Sequence, residues 1–222
     1  MTLPLDQIIT GDALAVMKDW PDQCIDLIVT DPPYGVGIPY ASYDDSVDAW
    51  TALMAVAMPQ MLRIARMVVV PSCQIKLLPW WYRNFPPGWL IAWYKGSPGH
   101  ASAIGFNDWE PIMVYGRPCR PMHDYFQCRC GFELDWHPCP KPLAWSTWLC
   151  QRASGPGDII LDPFCGSGTT CVAAKKLGRK YIGIEIDPVY AEKARARLAS
   201  TPEPLFVEQP QETQAQLFGE QP

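Results

Sequence analysis

Short apolar runs alternate with stretches of helical periodicity along most of this chain. Ile8 and Ile9 mark a strand over 7–10, and Gly11-Asp12 turns the chain into a helix from 13 to about 20. Residues 25–30 are apolar except for Asp26, the pattern of a parallel strand buried on both faces. That run ends in Asp31-Pro32-Pro33-Tyr34, where the prolines cannot donate to a ladder. From 47 to 66, Trp50, Leu53, Met54, Ala57, Met58, Met61, Leu62 and Ala65 recur at helical spacing, and Pro59 predicts a kink or a division of this helix. Strands follow at 67–70, 89–94 and 111–115, the last two read as a closing antiparallel pair around a polar loop at 95–108. Residues 117–141 lose all periodicity and are read as an irregular insertion. A helix over 142–152, a strand over 158–161, a glycine loop, a helix over 170–177, a strand over 180–184 and a helix over 188–198 complete a βαβα unit. Beyond 200 the chain turns to Pro, Gln and Glu, the composition of a disordered tail. The expectation is one α/β domain over 1–199, with an insertion at about 116–137, and a tail over 200–222.

Composition narrows the class. Of 222 residues 48% are hydrophobic and 18% charged, which is globular, while 24 prolines and 10 tryptophans indicate many turns. No apolar run of membrane-spanning length and no basic-then-apolar leader is present, so a cytoplasmic protein is expected. Nine cysteines, an odd count, fit free thiols in a reducing compartment. The net charge of −5 is unhelpful for gripping phosphates, but four of the 23 acidic residues lie after Arg197, which leaves 19 against 18 basic residues in the body. Such a body can still carry a local basic cleft.

Two segments carry chemistry. Asp162-Pro163-Phe164-Cys165-Gly166-Ser167-Gly168 lies between a strand and a helix, where glycines let a ligand approach the backbone, and Glu185 ends the next strand, where a carboxylate accepts ribose hydroxyls. Together they point to a nucleoside cofactor. Asp31-Pro32-Pro33-Tyr34 presents acceptors in a stiffened turn: the Asp31 carboxylate and Pro32 carbonyl can draw the lone pair of an exocyclic base amine out of its ring. Tyr34 offers a flat face for a base removed from its duplex.

In these segments the chain resembles the amino-methylating DNA methyltransferases, which carry an Asp-Pro-Pro-Tyr motif. The resemblance spans roughly residues 5 to 198 and includes Gly11-Asp12, Asp31-Pro32-Pro33-Tyr34, His137-Pro138-Cys139-Pro140-Lys141-Pro142, the loop from Asp162 through Thr170, and Tyr181-Ile182-Gly183-Ile184-Glu185-Ile186-Asp187. They occur in the order of the family's permuted class, with the catalytic motif ahead of the cofactor loop. The resemblance implies a seven-stranded, mostly parallel, Rossmann-like methyltransferase sheet with helices on both faces. It also implies S-adenosylmethionine bound near Asp162, Phe164, Gly166, Gly168 and Glu185, with Asp12 at the adenine, Lys141 and Pro142 in an additional cofactor-contacting segment, and Thr169 near the methionine portion. The implied reaction is direct in-line methyl transfer to adenine N6 of a flipped-out base in double-stranded DNA, with Asp31, Pro32, Pro33 and Tyr34 as the catalytic residues. Such enzymes are associated with restriction-modification.

Cytosine N4 is the alternative acceptor, though family members acting on it more often have Ser at the position of Asp31. RNA methylation and an inactive DNA-binding module are weaker alternatives, the latter because both motifs are intact. Methylation of cytosine carbon would need a nucleophilic cysteine such as Cys119 or Cys139 and leaves Asp31-Pro32-Pro33-Tyr34 unexplained. The segment expected to read DNA sequence, between Tyr115 and His137, is short. Either the target site is short, or the loops after Tyr34 and Lys95 and a second subunit in a homodimer share the reading. Cys119, Cys128, Cys130 and Cys139 with His123 and His137 have poor zinc spacing, and no metal is expected. Trp80-Trp81-Tyr82 reads as core packing. In the tail, Gln214, Leu217 and Phe218 resemble a bacterial sliding-clamp-binding peptide, which would tether the enzyme near DNA.

Overall fold

The computed structural model describes residues 2–40, 42–71, 75–96, 101–102, 105–106, 108–117, 123–129, 134, 136–137 and 139–204. In chain order its elements are β1 (Gln7–Thr10), α1 (Ala13–Met17), β2 (Ile25–Val29), α2 (Val47–Ile64), β3 (Ala65–Pro71), a single turn Ile75–Leu77, α3 (Leu78–Asn84), β4 (Trp89–Tyr94), β5 (Ala101–Ser102) and β6 (Gly105–Phe106). There follow β7 (Trp109–Tyr115), β8 (Tyr125–Gln127), α4 (Leu143–Ala153), β9 (Ile159–Asp162), α5 (Thr169–Lys176), β10 (Lys180–Glu185) and α6 (Pro188–Ser200).

Eight strands form one sheet in the order β1-β10-β9-β2-β3-β7-β4-β8, and β5 and β6 pair separately. Every neighbour pair is parallel except those made by β7, which runs antiparallel to both β3 and β4. A mostly parallel sheet needs cover on both faces. Trp50, Met54, Met58 and Met61 of α2, with Met17 of α1 and Trp81 of α3, bury one face. Trp145 and Leu149 of α4, Val172 of α5 and Leu198 of α6 bury the other. The polar break in the β2 run has a structural use, because Asp26 accepts from the Ile159 N–H at 2.9 Å and pairs with Arg66 at 3.0 Å, tying together the starts of β9, β2 and β3.

Three expectations change. The sheet has eight strands rather than seven, because Tyr125–Gln127, inside the stretch read as irregular, pairs in parallel with β4. Three residues are too few to show a period. The helix from Val47 runs to Ile64 without dividing at Pro59. Proline leaves the carbonyl four residues earlier without its helical donor, but Ala55 and Pro59 are both exposed, so water can satisfy it. Of the aromatic cluster only Trp81 is fully buried, while Tyr82 is half exposed. Among the described residues no helix is long and apolar enough to cross a membrane. Residues 205–222, with Gln214, Leu217 and Phe218, lie outside the described residues, as do Cys119 and Cys130.

Gly116 closes β7 at φ +93°, and a methyl group there would be driven into the Arg66 carbonyl oxygen of β3. Gly116→Ala is expected to lower unfolding free energy by about 2–5 kcal/mol, combining left-handed backbone strain with overpacking. Urea denaturation checks this, and a loss below about 1 kcal/mol would mean that the turn relaxes freely.

Candidate active site

The neighbouring strands β10, β9 and β2 each deliver a carboxylate to the same edge of the sheet: Glu185 ends β10, Asp162 ends β9, and Asp31 lies just beyond β2. Sheet winding reverses between β9 and β2, and open α/β sheets hold ligands outside such a reversal. A cavity of about 280 Å³ lies there, lined by parts of Asp12, Asp31, Pro33, Lys141, Asp162, Phe164, Gly166, Thr169 and Glu185 among others.

Glu185 is fixed by its backbone neighbours. Its Oε2 accepts from Gly166 N–H and its Oε1 from Asp187 N–H, both at 2.8 Å. The carboxylate is thus held by backbone donors while it lines the cavity. Burial nevertheless raises its pKa, with these bonds opposing the shift. Gly166 turns at φ +48°, and a Cβ there would fall 2.7 Å from His137 Nε2, so only glycine brings the loop this close. Burial lowers the His137 pKa to about 4, and its Nδ1 accepts from Cys139 N–H at 3.2 Å. The neutral ring therefore carries its proton on Nε2, toward the loop. Gly168 faces away from the cavity and packs on Ala194, where φ +75° opens α5.

Asp162 is 4% exposed, and its Oδ1 accepts from the Thr30 hydroxyl at 2.7 Å and Phe164 N–H at 3.2 Å. Burial pushes its pKa up to about 7 against those bonds. Asp31 is held by two side chains: the Tyr34 hydroxyl donates to Oδ1, and Lys141 Nζ lies 2.6 Å from Oδ2. Burial works against the Lys141 charge, but Asp31 outweighs it and holds the ammonium above the ordinary lysine value. The same Nζ sits 4.6 Å from the Tyr34 ring centre.

The structure thus brings nine of the sequence-derived site residues to the cavity wall. Pro32, Tyr34, Pro142 and Gly168 stand behind it. Pro32 is buried, Pro142 caps α4, and Tyr34 meets the site through Asp31.

Tyr40, Ser42 and Tyr43, which no sequence motif marked, also line the cavity. Their loop is gathered by Asp45, whose carboxylate accepts from Gly35, Val36 and Ile38 N–H at 2.6, 3.1 and 3.0 Å. Ser42 Oγ then reaches across to Asp187 Oδ2 at 3.1 Å. The Gly35-x-Gly37 spacing was the one available signal of a tight turn. The Tyr43 hydroxyl and Trp145 Nε1 are buried at this cavity without a hydrogen-bond partner among the described residues. Among the described residues no group of three or more His, Cys, Asp or Glu is arranged to hold a metal.

Comparison with known proteins gives concordant results. The sequence model of the N6/N4 class of DNA methylases matches residues 91–196, which include the glycine loop and Glu185. YubD of Escherichia coli (strain K12), named as a methylase, is 30% identical over 217 residues, covering 88% of this chain and 91% of YubD. The DNA adenine methyltransferase YhdJ of the same organism is 28% identical over 243 residues, covering 86% of this chain and 82% of YhdJ. The crystal structure of the M1.HpyAVI–SAM complex superposes with a TM-score of 0.63 at 27% identity, covering 86% of this chain and 98% of that one.

The raised pKa of Asp162 gives a pH test. Its folded value of about 7 exceeds the unfolded value of about 4. Its contribution to stability is therefore complete below about pH 4 and is lost as pH rises through about 7. Asp162→Asn keeps an oxygen acceptor for Thr30 and Phe164 but cannot titrate. Melting curves from about pH 5 to about pH 8 are expected to show the wild type losing stability relative to this variant as pH rises, then a constant difference. A difference that is flat throughout would place Asp162 in the ordinary carboxylate range.

Proposed function

We propose, from the premise that this chain belongs to the N6/N4 family of DNA methylases, that it methylates the exocyclic N6 of adenine in double-stranded DNA. The observation that carries the reading is the sharing of one cavity by Asp31 and the Glu185–Gly166 pair, which sets an amine acceptor beside a nucleoside cradle. S-adenosylmethionine, when bound, supplies the methyl group from its sulfonium. The chain's residues suit it: Glu185, fixed by backbone donors, presents a carboxylate for the ribose hydroxyls, Asp12 and Phe164 line the same cavity where the adenine would lie, and the acidic wall favours the positive sulfonium. Thr169 lines the same cavity, and its hydroxyl is fixed by Ser167 and Arg197.

Asp31 is the group that accepts a hydrogen bond from the target amine N–H. This makes the amine's lone pair more available for bonding than it is when conjugated to the ring. As the N–C bond forms the methyl–sulfur bond breaks, and the amine then gives up a proton. Pro32 and Pro33 hold the turn rigid so that Asp31 is presented to the nitrogen in a fixed position. The Tyr34 hydroxyl keeps the Asp31 carboxylate oriented. Tyr40 lines the same cavity and adds an aromatic surface to the chamber that a flipped-out base would enter. Adenine is favoured over cytosine by the aspartate at position 31 and by the likeness to a relative named as an adenine methyltransferase.

Incubation with isotopically labelled S-adenosylmethionine and mixed-sequence DNA, followed by nucleoside mass spectrometry, is expected to yield N6-methyladenine. N4-methylcytosine as the sole product would overturn the base assignment and keep the mechanism. Asp31→Ala is expected to abolish transfer, by three orders of magnitude or more (~10³), while calorimetry still detects S-adenosylhomocysteine binding. Near-normal turnover would remove Asp31 from the mechanism. Glu185→Ala is expected to weaken S-adenosylhomocysteine by roughly 1.5–3 kcal/mol for each charge-assisted ribose hydrogen bond lost. Unchanged affinity would place the ribose elsewhere.

A further inference from the structure

Among the described residues lining the cavity, Lys141 is the only lysine or arginine, and it shares that lining with five carboxylates: Asp12, Asp31, Asp162, Glu185 and Asp187. Within the methyltransferase reading, this acidic wall suits the sulfonium and ammonium of the cofactor. It leaves the cofactor's single carboxylate with one cationic side chain to meet. Lys141 is already engaged, however, with Nζ 2.6 Å from Asp31 Oδ2 and only 9% of its side chain exposed. A cation so enclosed needs an anion at all times, because an unpaired buried charge is strongly disfavoured. Asp31 has the converse requirement. While Oδ2 holds the ammonium, a neutral amine N–H must compete with a charge-assisted hydrogen bond for the same oxygen.

We infer that Lys141 is a positioning residue used in alternation, paired with Asp31 in the free protein and with the cofactor carboxylate in the loaded one. Asp31 Oδ2 thereby becomes available to the target amine only when the methyl donor is in place. Tyr34 remains on Oδ1 throughout and keeps the carboxylate aimed. The lysine is well placed to swing between two anions without leaving the cavity, since buried Pro140 and Pro142 fix the backbone on either side of it. The coupling is reciprocal: whatever hold Asp31 has on Lys141, the cofactor carboxylate must overcome.

The test is a set of calorimetric affinities for S-adenosylhomocysteine and its decarboxylated analogue, measured with the wild type, Asp31→Asn and Lys141→Met. Asp31→Asn is expected to bind S-adenosylhomocysteine about fivefold or more tighter than the wild type, with the decarboxylated analogue unchanged. Lys141→Met is expected to bind S-adenosylhomocysteine about tenfold or more weaker, no better than it binds the analogue. If Asp31→Asn does not fold, the Lys141→Met comparison decides alone. Wild-type-like preference for the carboxylate in Lys141→Met, or no tightening in a folded Asp31→Asn, would overturn the alternation and leave the methyltransferase reading standing. Failure of the wild type to bind either ligand would overturn both.

Discussion

Parallel pairing of β10, β9 and β2 sets Glu185, Asp162 and Asp31 side by side at one sheet edge, and this row of carboxylates is the constraint the rest of the site answers. Adjacent like charges in a half-buried cleft repel strongly unless each is compensated. The fold compensates each differently. Backbone N–H groups hold Glu185, burial and the Thr30 hydroxyl carry Asp162 to a pKa of about 7, and Lys141 neutralises Asp31. Three solutions to one electrostatic problem give three different carboxylates: one fixed by backbone donors, one that loses its charge readily, and one paired with a buried ammonium.

The surrounding architecture follows from keeping that row in register. The sheet is buried on both faces, by α1, α2 and α3 on one side and α4, α5 and α6 on the other, and a slip by one residue would exchange the side chains fitted to these two different helical layers. Asp26 adds a polar lock at the opposite end of the same strands. The loop gathered by Asp45 contributes to the cavity lining, and Ser42 joins it to Asp187.

What the sequence revealed was local in origin. Asp31-Pro32-Pro33 and the Gly166 loop announce themselves because proline and glycine are chosen for backbone conformations, and Glu185 lies within about 20 residues of the glycine loop it serves. What it concealed was distant or aperiodic. Lys141 could be picked out as part of a cofactor segment, but its partner lies 110 residues away, and no spacing rule connects the two. His137 matters because Gly166 packs under it, and Tyr40 and Tyr43 matter because one carboxylate folds their loop. The continuity of α2 through Pro59 rests on solvent reaching the Ala55 side of the helix, which is a property of the packed molecule. Tyr34 shows the limit most clearly: its residue type predicts a stacking face, and its environment engages its hydroxyl with Asp31 and its ring with Lys141.

If one cavity serves as both nucleoside cradle and amine acceptor, a crystal structure of the protein with S-adenosylhomocysteine will show both ribose hydroxyls on Glu185, the adenine between Asp12 and Phe164, and the sulfur facing Asp31 within reach of a base amine. Density for the ligand outside this cavity, or in it with the sulfur turned away from Asp31, would mean that the two functions do not share it.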